Sequence, residues 1–396
     1  MLRRVLFCGL LLLAAAPAWA QVQVTTLAPP DAFSTPGRET GLPAELWRGT
    51  PIETARAVLP VLAAKPMSPA AAAFARRVLA TGATGPEGTV GDEALAGARA
   101  TALMALGDVA AAAKILERAQ GLERNADLAR AAAEGALLAG DSGRACAIAE
   151  GLGAGREEAY WLRLRAFCQA EAGKAGQAQL TLELAQTQAR DATYGRLMAA
   201  KLTGAAPGAA SLRNGLDYAL SKSLNLDIGA AKPAPAVAGA LSGEAPAEPT
   251  FDVAAIDAST GGLAASLRDG PPPVGGVSAL IATAAEADAK SRARLQGAAL
   301  LIAALVPELS GADRTRLAGF ATPEGKAPVG RGLALEAAGA GKRMGEAALL
   351  ALWTCADAGP AGPALGDRVR IVHALAQAGL GEDARKLALE GLAGLK

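Results

Sequence analysis

The chain has 396 residues, with 39 Lys and Arg against 38 Asp and Glu and a single histidine. A balance this close to neutral, with both signs interspersed, lacks the basic patch that nucleic acid or an anionic membrane surface requires. Aromatic residues make up only 3% of the chain, so its core must be built from Ala, Leu, Val and Ile in close-packed helices.

Residues 1–20 read as a secretory signal. Arg3 and Arg4 form a positive n-region, Val5 to Ala16 a short apolar stretch, and Ala18-Trp19-Ala20 a small-x-small cleavage pattern that puts the mature N-terminus at Gln21. The apolar run is shorter than the roughly 20 residues that cross a bilayer, and Cys8 after the bulky Phe7 does not suit a lipoprotein signal. No later segment has the length and apolarity of a membrane span. Scarce lysine beside abundant Ala, Gly, Leu and Arg has the character of a GC-rich bacterial genome. The expected destination is therefore the periplasm.

Residues 21–48, with Pro29-Pro30 and Pro36-Gly37, read as an extended and poorly ordered arm. Trp47 stands at its edge, either as a docking residue for a partner or as a seal against the first helical hairpin. Thr50-Pro51-Ile52-Glu53 carries the pattern of a capping box, and Pro60 is expected to bend or end the helix that follows. A second helix starts at Ser68-Pro69, runs to Ala80 and stops near Gly82.

From Asp92 to Thr203 the composition predicts helices near 94–106, 109–119, 126–139, 142–151, 157–172, 175–188 and 191–203. Gly107, Gly140 and Gly173 recur at an interval of 33 residues, each followed five residues later by alanine: Ala112, Ala145 and Ala178. A fixed period in this range marks stacked helical hairpins. The pairs resemble tetratricopeptide repeats: a small residue in the first helix, a Gly-Asp or Gly-Lys turn, then alanine where the two helices touch. The consensus Trp-x-x-Leu-Gly-x-x-Tyr run and the closing proline are missing, so the resemblance implies architecture alone, over residues 49–203. The fold class expected is all-α, a superhelical array of helical hairpins that degenerates in the C-terminal half.

Residues 204–275 are interrupted by Pro207, Pro233, Pro235, Pro246 and Pro271-Pro272-Pro273, and read as an irregular helical connection. Composition does not decide whether 229–250 is ordered. Residues 276–396 return to helical hairpins, and Gly379 with Ala384 repeats the glycine-plus-five-alanine signature.

The mature chain keeps Cys146, Cys168 and Cys355 without any CxxC spacing. Cys146 lies in the second helix of one hairpin and Cys168 in the first helix of the next. Those helices run antiparallel, and export supplies an oxidising compartment, so a Cys146–Cys168 disulfide is expected, with Cys355 the lone thiol. The residues suggest no catalytic set, no cofactor-binding site and no metal site. His373 has no nucleophile motif beside it. Gly339-Ala340-Gly341-Lys342-Arg343 lacks the first glycine, the Ser/Thr and the preceding strand of a phosphate loop, and reads as a turn between helices.

The one aromatic cluster runs from Tyr160 to Phe167. Trp161, Leu164 and Cys168 share a helix face, the pattern of a core. Tyr160, Arg163 and Arg165 are the candidates for lining a partner-binding groove. The function expected is that of a non-catalytic periplasmic scaffold binding a protein partner in the cell envelope, with no nucleic acid involved. The alternative is an accessory or enzyme of peptidoglycan metabolism with a superhelical domain. An acidic residue of raised pKa inside a polysaccharide-sized groove would favour the alternative.

Overall fold

A computed structural model of the chain describes residues 33–88, 92–117, 119–321 and 324–395. The signal expected at 1–20 and the first part of the arm lie outside them. Among the described residues the protein is all-helical: twenty α-helices form and no strand. Among these described residues no helix is long and apolar enough to cross a membrane.

Helix α1 (Ile52–Ala64) is followed by α2 (Pro69–Ala80), which packs on other helices rather than back on α1. The next helices pair as hairpins: α3 (Glu93–Ala105) with α4 (Val109–Glu117), α5 (Ala126–Leu138) with α6 (Ser142–Gly151), and α7 (Ala159–Glu171) with α8 (Ala175–Gln188). Their ends are set locally. Asp92, Asn125 and Asp141 accept first-turn N–H groups at the starts of α3, α5 and α6, satisfying donors that the helix itself leaves open. Gly107, Gly140 and Gly173 take φ of 84°, 81° and 73°, a left-handed conformation that only glycine adopts without strain. The next residue's N–H then reaches back five residues along the helix end, as in Asp108 N to Leu103 O at 2.9 Å and Asp141 N to Ala136 O at 2.8 Å. Lys342 closes the turn at 339–343 in the same way, at φ 53°.

Ala112, Ala145 and Ala178 are each 0% exposed, as the 33-residue register requires. Ala112→Leu is expected to overpack its helix contact and destabilise the protein by about 1–3 kcal/mol. Chemical denaturation checks this, and an unchanged midpoint would remove Ala112 from the packed register.

At α1 the expected capping box does not form, and of the two outcomes expected at Pro60 the helix end does not occur. Thr50 does not cap α1: its hydroxyl is buried without a partner, pressed against Gly345, where an added Cβ would lie 2.7 Å from the Thr50 Oγ1. Pro60 does not end α1, which continues to Ala64. Arg56, whose carbonyl loses its N–H partner to the proline, and Pro60 itself both face solvent, so water can serve the freed group.

Residues 33–48 of the arm, expected to be extended and poorly ordered, are packed along α2 and the α3–α4 hairpin. Gly37 N donates to Ala80 O at 2.9 Å, Arg38 pairs with Asp108 at 3.2 Å, and buried Arg99 donates to Leu79 O, Thr81 O and Thr35 O. Trp47 is fully buried, edge-on to Phe33 at 4.9 Å.

The order of neighbours departs from the order of the sequence. Helices α1, α3 and α5 stand side by side, but the helix next to α5 is α10 (Gly215–Ser223), whereas α7 is held by α6. The disulfide forms between α6 and α7, joining Cys146 and Cys168 with their Cα atoms 5.6 Å apart. On the far side of α1 lies α18 (Met344–Ala358), followed by α17 (Val329–Ala340), α19 (Leu365–Gln377) and α20 (Gly381–Ala393). The C-terminal hairpins thus extend the N-terminal ones backwards from α1, and Trp47 sits at that seam rather than at a free end.

Residues 204–275 make the return journey. Helix α11 (Pro235–Ser242), within the stretch of undecided order, packs on α3, α4 and α5. A Cβ at Gly239 would lie 2.1 Å from Gly107 O, so this crossing admits only glycine. Farther on, Arg76 donates to Pro246 O at 3.4 Å, Lys386 pairs with Glu248 at 2.9 Å, and Arg385 donates to Leu267 O at 3.1 Å. Helices α12 (Val253–Thr260) and α13 (Leu263–Asp269) then pack on α20, beside α15 (Arg292–Ala303).

Candidate functional site

A cleft of about 940 Å³ opens between the α1–α2 connection, α3, α5, α7 and the segment that carries α9 (Ala192–Thr203) and α10. One end is apolar, walled by Pro60, Leu62, Met67, Met104 and Leu106. The other end is polar, with Arg130, Glu134, Tyr160, Arg163, Asp191 and Arg213.

Helix α5 supplies Arg130 and Glu134, one turn apart on the same face. Glu134 Oε2 accepts the Gly215 backbone N–H at 2.7 Å, at the start of α10. Its Oε1 and the Tyr160 hydroxyl are buried beside each other, interacting without a well-aligned hydrogen bond, and Arg163 Nε is buried without a hydrogen-bond partner. Burial pushes the Glu134 carboxyl up from its ordinary pKa, outweighing the Gly215 N–H, Tyr160 and the positive Arg130. Burial likewise raises the Tyr160 phenol, and the neighbouring Glu134 adds to it. The Arg130 guanidinium lies 4.6 Å from the centroid of the Tyr160 ring, an attractive cation–π placement.

The remaining charges are committed to each other. Asp191 caps α9 through the Thr193 and Tyr194 N–H groups and holds Arg213 through both carboxylate oxygens, at 3.1 and 3.0 Å. Burial alone would push Asp191 up, but the Tyr194 N–H, Arg213 and Arg163 together hold it below the usual carboxylate range. Arg213 Nε also donates to the buried Asp217 at 2.6 Å, and Ser211 donates to the same oxygen at 2.7 Å. Tyr194 donates its hydroxyl to Arg163 O at 2.6 Å, fixing α9 to α7. The chemistry on offer is a fixed set of hydrogen-bond donors around a carboxyl of raised pKa, beside an apolar trough.

Of the residues singled out from sequence, Tyr160 and Arg163 come together in this cleft, and Arg165 lies outside its lining. Trp47 is buried at the seam with α18, and His373 faces Ala304 O at 3.4 Å in α19. Cys355 is buried, its thiol pushed up to about 12 by desolvation. The cleft residues missed from sequence are Arg130, Glu134, Asp191, Arg213 and Asp217. The signal for the first two was an Arg-Ala-Ala-Ala-Glu run in an otherwise apolar helix, which reads equally well as a solvent-facing pair. The chain matches no family model, no curated protein and no solved structure.

Proposed function

We propose that this is a non-catalytic binding scaffold: a tetratricopeptide-like superhelical array, exported to the periplasm after cleavage at Ala20, that holds a protein partner of the cell envelope in its cleft. The observation that carries the reading is the cleft itself, whose walls come from the first helices of successive hairpins and whose polar end presents buried donors held in place by Asp191, Arg213 and Asp217. Preorganised groups of this kind lower the cost of ordering on binding.

The test is crosslinking in the intact envelope followed by mass spectrometry, with the mature protein compared with its Thr101→Arg variant. Thr101 is exposed and lines the cleft, so the new side chain obstructs the trough without entering the core. Partners recovered by the wild type and lost by the variant support the reading. An identical set from both would refute it.

One observation favours a second reading, an enzyme of peptidoglycan metabolism: Glu134 is a carboxyl of raised pKa inside a groove, the property of a general acid in glycoside cleavage. Release of soluble fragments from purified sacculi, abolished by Glu134→Gln, would establish it.

A further inference from the structure

At one end of the cleft Arg163 Nε is buried without a hydrogen-bond partner, and the buried Glu134 Oε1 and Tyr160 Oη have no well-aligned partner and only each other as neighbour. Buried polar atoms in native proteins are almost always satisfied. Together with the unpaired cation of Arg130, they point to a ligand that completes them.

Its chemistry follows from what is left uncommitted. Arg213 is taken by Asp191 and Asp217, and Lys65 by Asp357 at 2.6 Å. Arg163 has given Nη2 to Ala189 O at 2.6 Å and sets Nη1 3.9 Å from Asp191, and retains Nε. Among the described residues no carboxylate forms an ion pair with Arg130, whose contact is the Tyr160 ring. Arg130, Arg163 Nε and the Tyr160 hydroxyl are all donors; Glu134, when it holds a proton on Oε1, gives it to the phenol oxygen and leaves the Tyr160 O–H to point outward. Three donors, two of them cationic, call for an anionic group with acceptor oxygens only. Away from this end, Leu62, Met67, Met104 and Leu106 leave room for an apolar body.

We propose that the cleft binds a small apolar organic acid, its carboxylate seated among Arg130, Tyr160, Arg163 and Glu134 and its apolar body laid along Leu62, Met67 and Met104. The site requires no protein partner and stands independently of the scaffold reading. The groups facing Glu134 are Arg130 and Asp127 from α5, Tyr160 and Arg163 from α7, Asp191 and Tyr194 from the start of α9, and the Gly215 N–H and Asp217 from α10. A carboxylate arriving beside Glu134 adds a like charge and raises its proton affinity further. Binding therefore takes up a proton, and affinity falls as pH rises through the Glu134 titration.

Isothermal titration of the mature protein with octanoate, and with octanamide as its uncharged counterpart, tests this. Octanoate is expected to bind about tenfold or more tightly than octanamide, since its charge-assisted bonds replace neutral ones, and to weaken toward alkaline pH. Arg130→Gln should erase the preference for the acid. Arg130 is exposed, so this variant keeps its fold, and an unchanged thermal midpoint verifies that. Glu134→Gln should still bind octanoate but without the pH dependence. The inference is overturned by equal affinities for acid and amide, by an Arg130→Gln variant that keeps the preference, or by octanoate failing to bind when an apolar peptide with a free C-terminus does.

Discussion

Glu390→Ala is expected to destabilise the protein by about 3–5 kcal/mol, the cost of removing one partner of a buried, hydrogen-bonded charge pair. Glu390 lies on α20, close to the C-terminus, yet its partners lie at both ends of the chain. Its Oε2 accepts from Arg368 at 2.9 Å and from the Ser68 hydroxyl at 2.7 Å, while Oε1 accepts the Ala70 N–H at 2.8 Å. Arg368 is 7% and Glu390 12% exposed, so truncation leaves a nearly buried guanidinium unpaired. It also uncaps α2, because Ser68 makes no side-chain cap to its own helix; Glu390 fills that place from more than 300 residues away. Glu390→Gln keeps oxygen for Ala70 but loses the charge, and should fall between wild type and Glu390→Ala. Denaturant unfolding of the three proteins checks the order. A loss below about 1 kcal/mol in Glu390→Ala would mean that solvent reaches Arg368 and that the N- and C-terminal hairpins are not sealed together.

Removing the disulfide through the Cys146→Ser and Cys168→Ser double variant is expected to cost roughly 3 kcal/mol on the chain-entropy account. The bridge closes a loop of sequence separation 22 between α6 and α7. Its position gives it more than a local effect. Helix α7 has no broad contact with α5, because α10 occupies that flank, so the disulfide and α6 are what hold α7 in place there. Tyr160 and Arg163 ride on α7, and the double variant should therefore also loosen the polar end of the cleft. Unfolding midpoints under oxidising and reducing conditions supply the measurement. Wild type should lose stability on reduction and the double variant should not respond. Equal stability of the two proteins under oxidising conditions would count against the bridge as a support of α7.

How much of the candidate site could be read from sequence depended on the kind of signal each residue carried. Tyr160 and Arg163 stood out because aromatics are scarce and theirs adjoin arginines. Arg130 and Glu134 were hidden because an Arg and a Glu four residues apart on a helix usually form a solvent-facing pair. Here they point into a cleft, and Glu134 finds its partner at Gly215, 81 residues later. Asp191 had the spacing of a helix cap and is one. Its second task, holding Arg213, depends on α9 and α10 meeting across the loop between them.

The helix ends between residues 92 and 203, the turns at Gly107, Gly140 and Gly173, the buried alanines five residues beyond each and the Cys146–Cys168 bridge were determined by the sequence alone. These features rest on contacts within one turn or between adjacent helices, where capping groups, positive φ and chain geometry leave few solutions. Only the tertiary structure decided that α18 lies against α1, that α10 and not α7 flanks α5, that Trp47 fills an internal seam and that Glu390 caps α2. The physical reason lies in the composition. Faces made of alanine and leucine attract without direction, so many such faces are nearly interchangeable as neighbours. The choice among them falls to a few shape and charge details: glycine at a crossing such as Gly239 over Gly107 O, or a buried carboxylate such as Glu390. Those details act between residues far apart in the chain, and they take effect only once the backbone has brought them together.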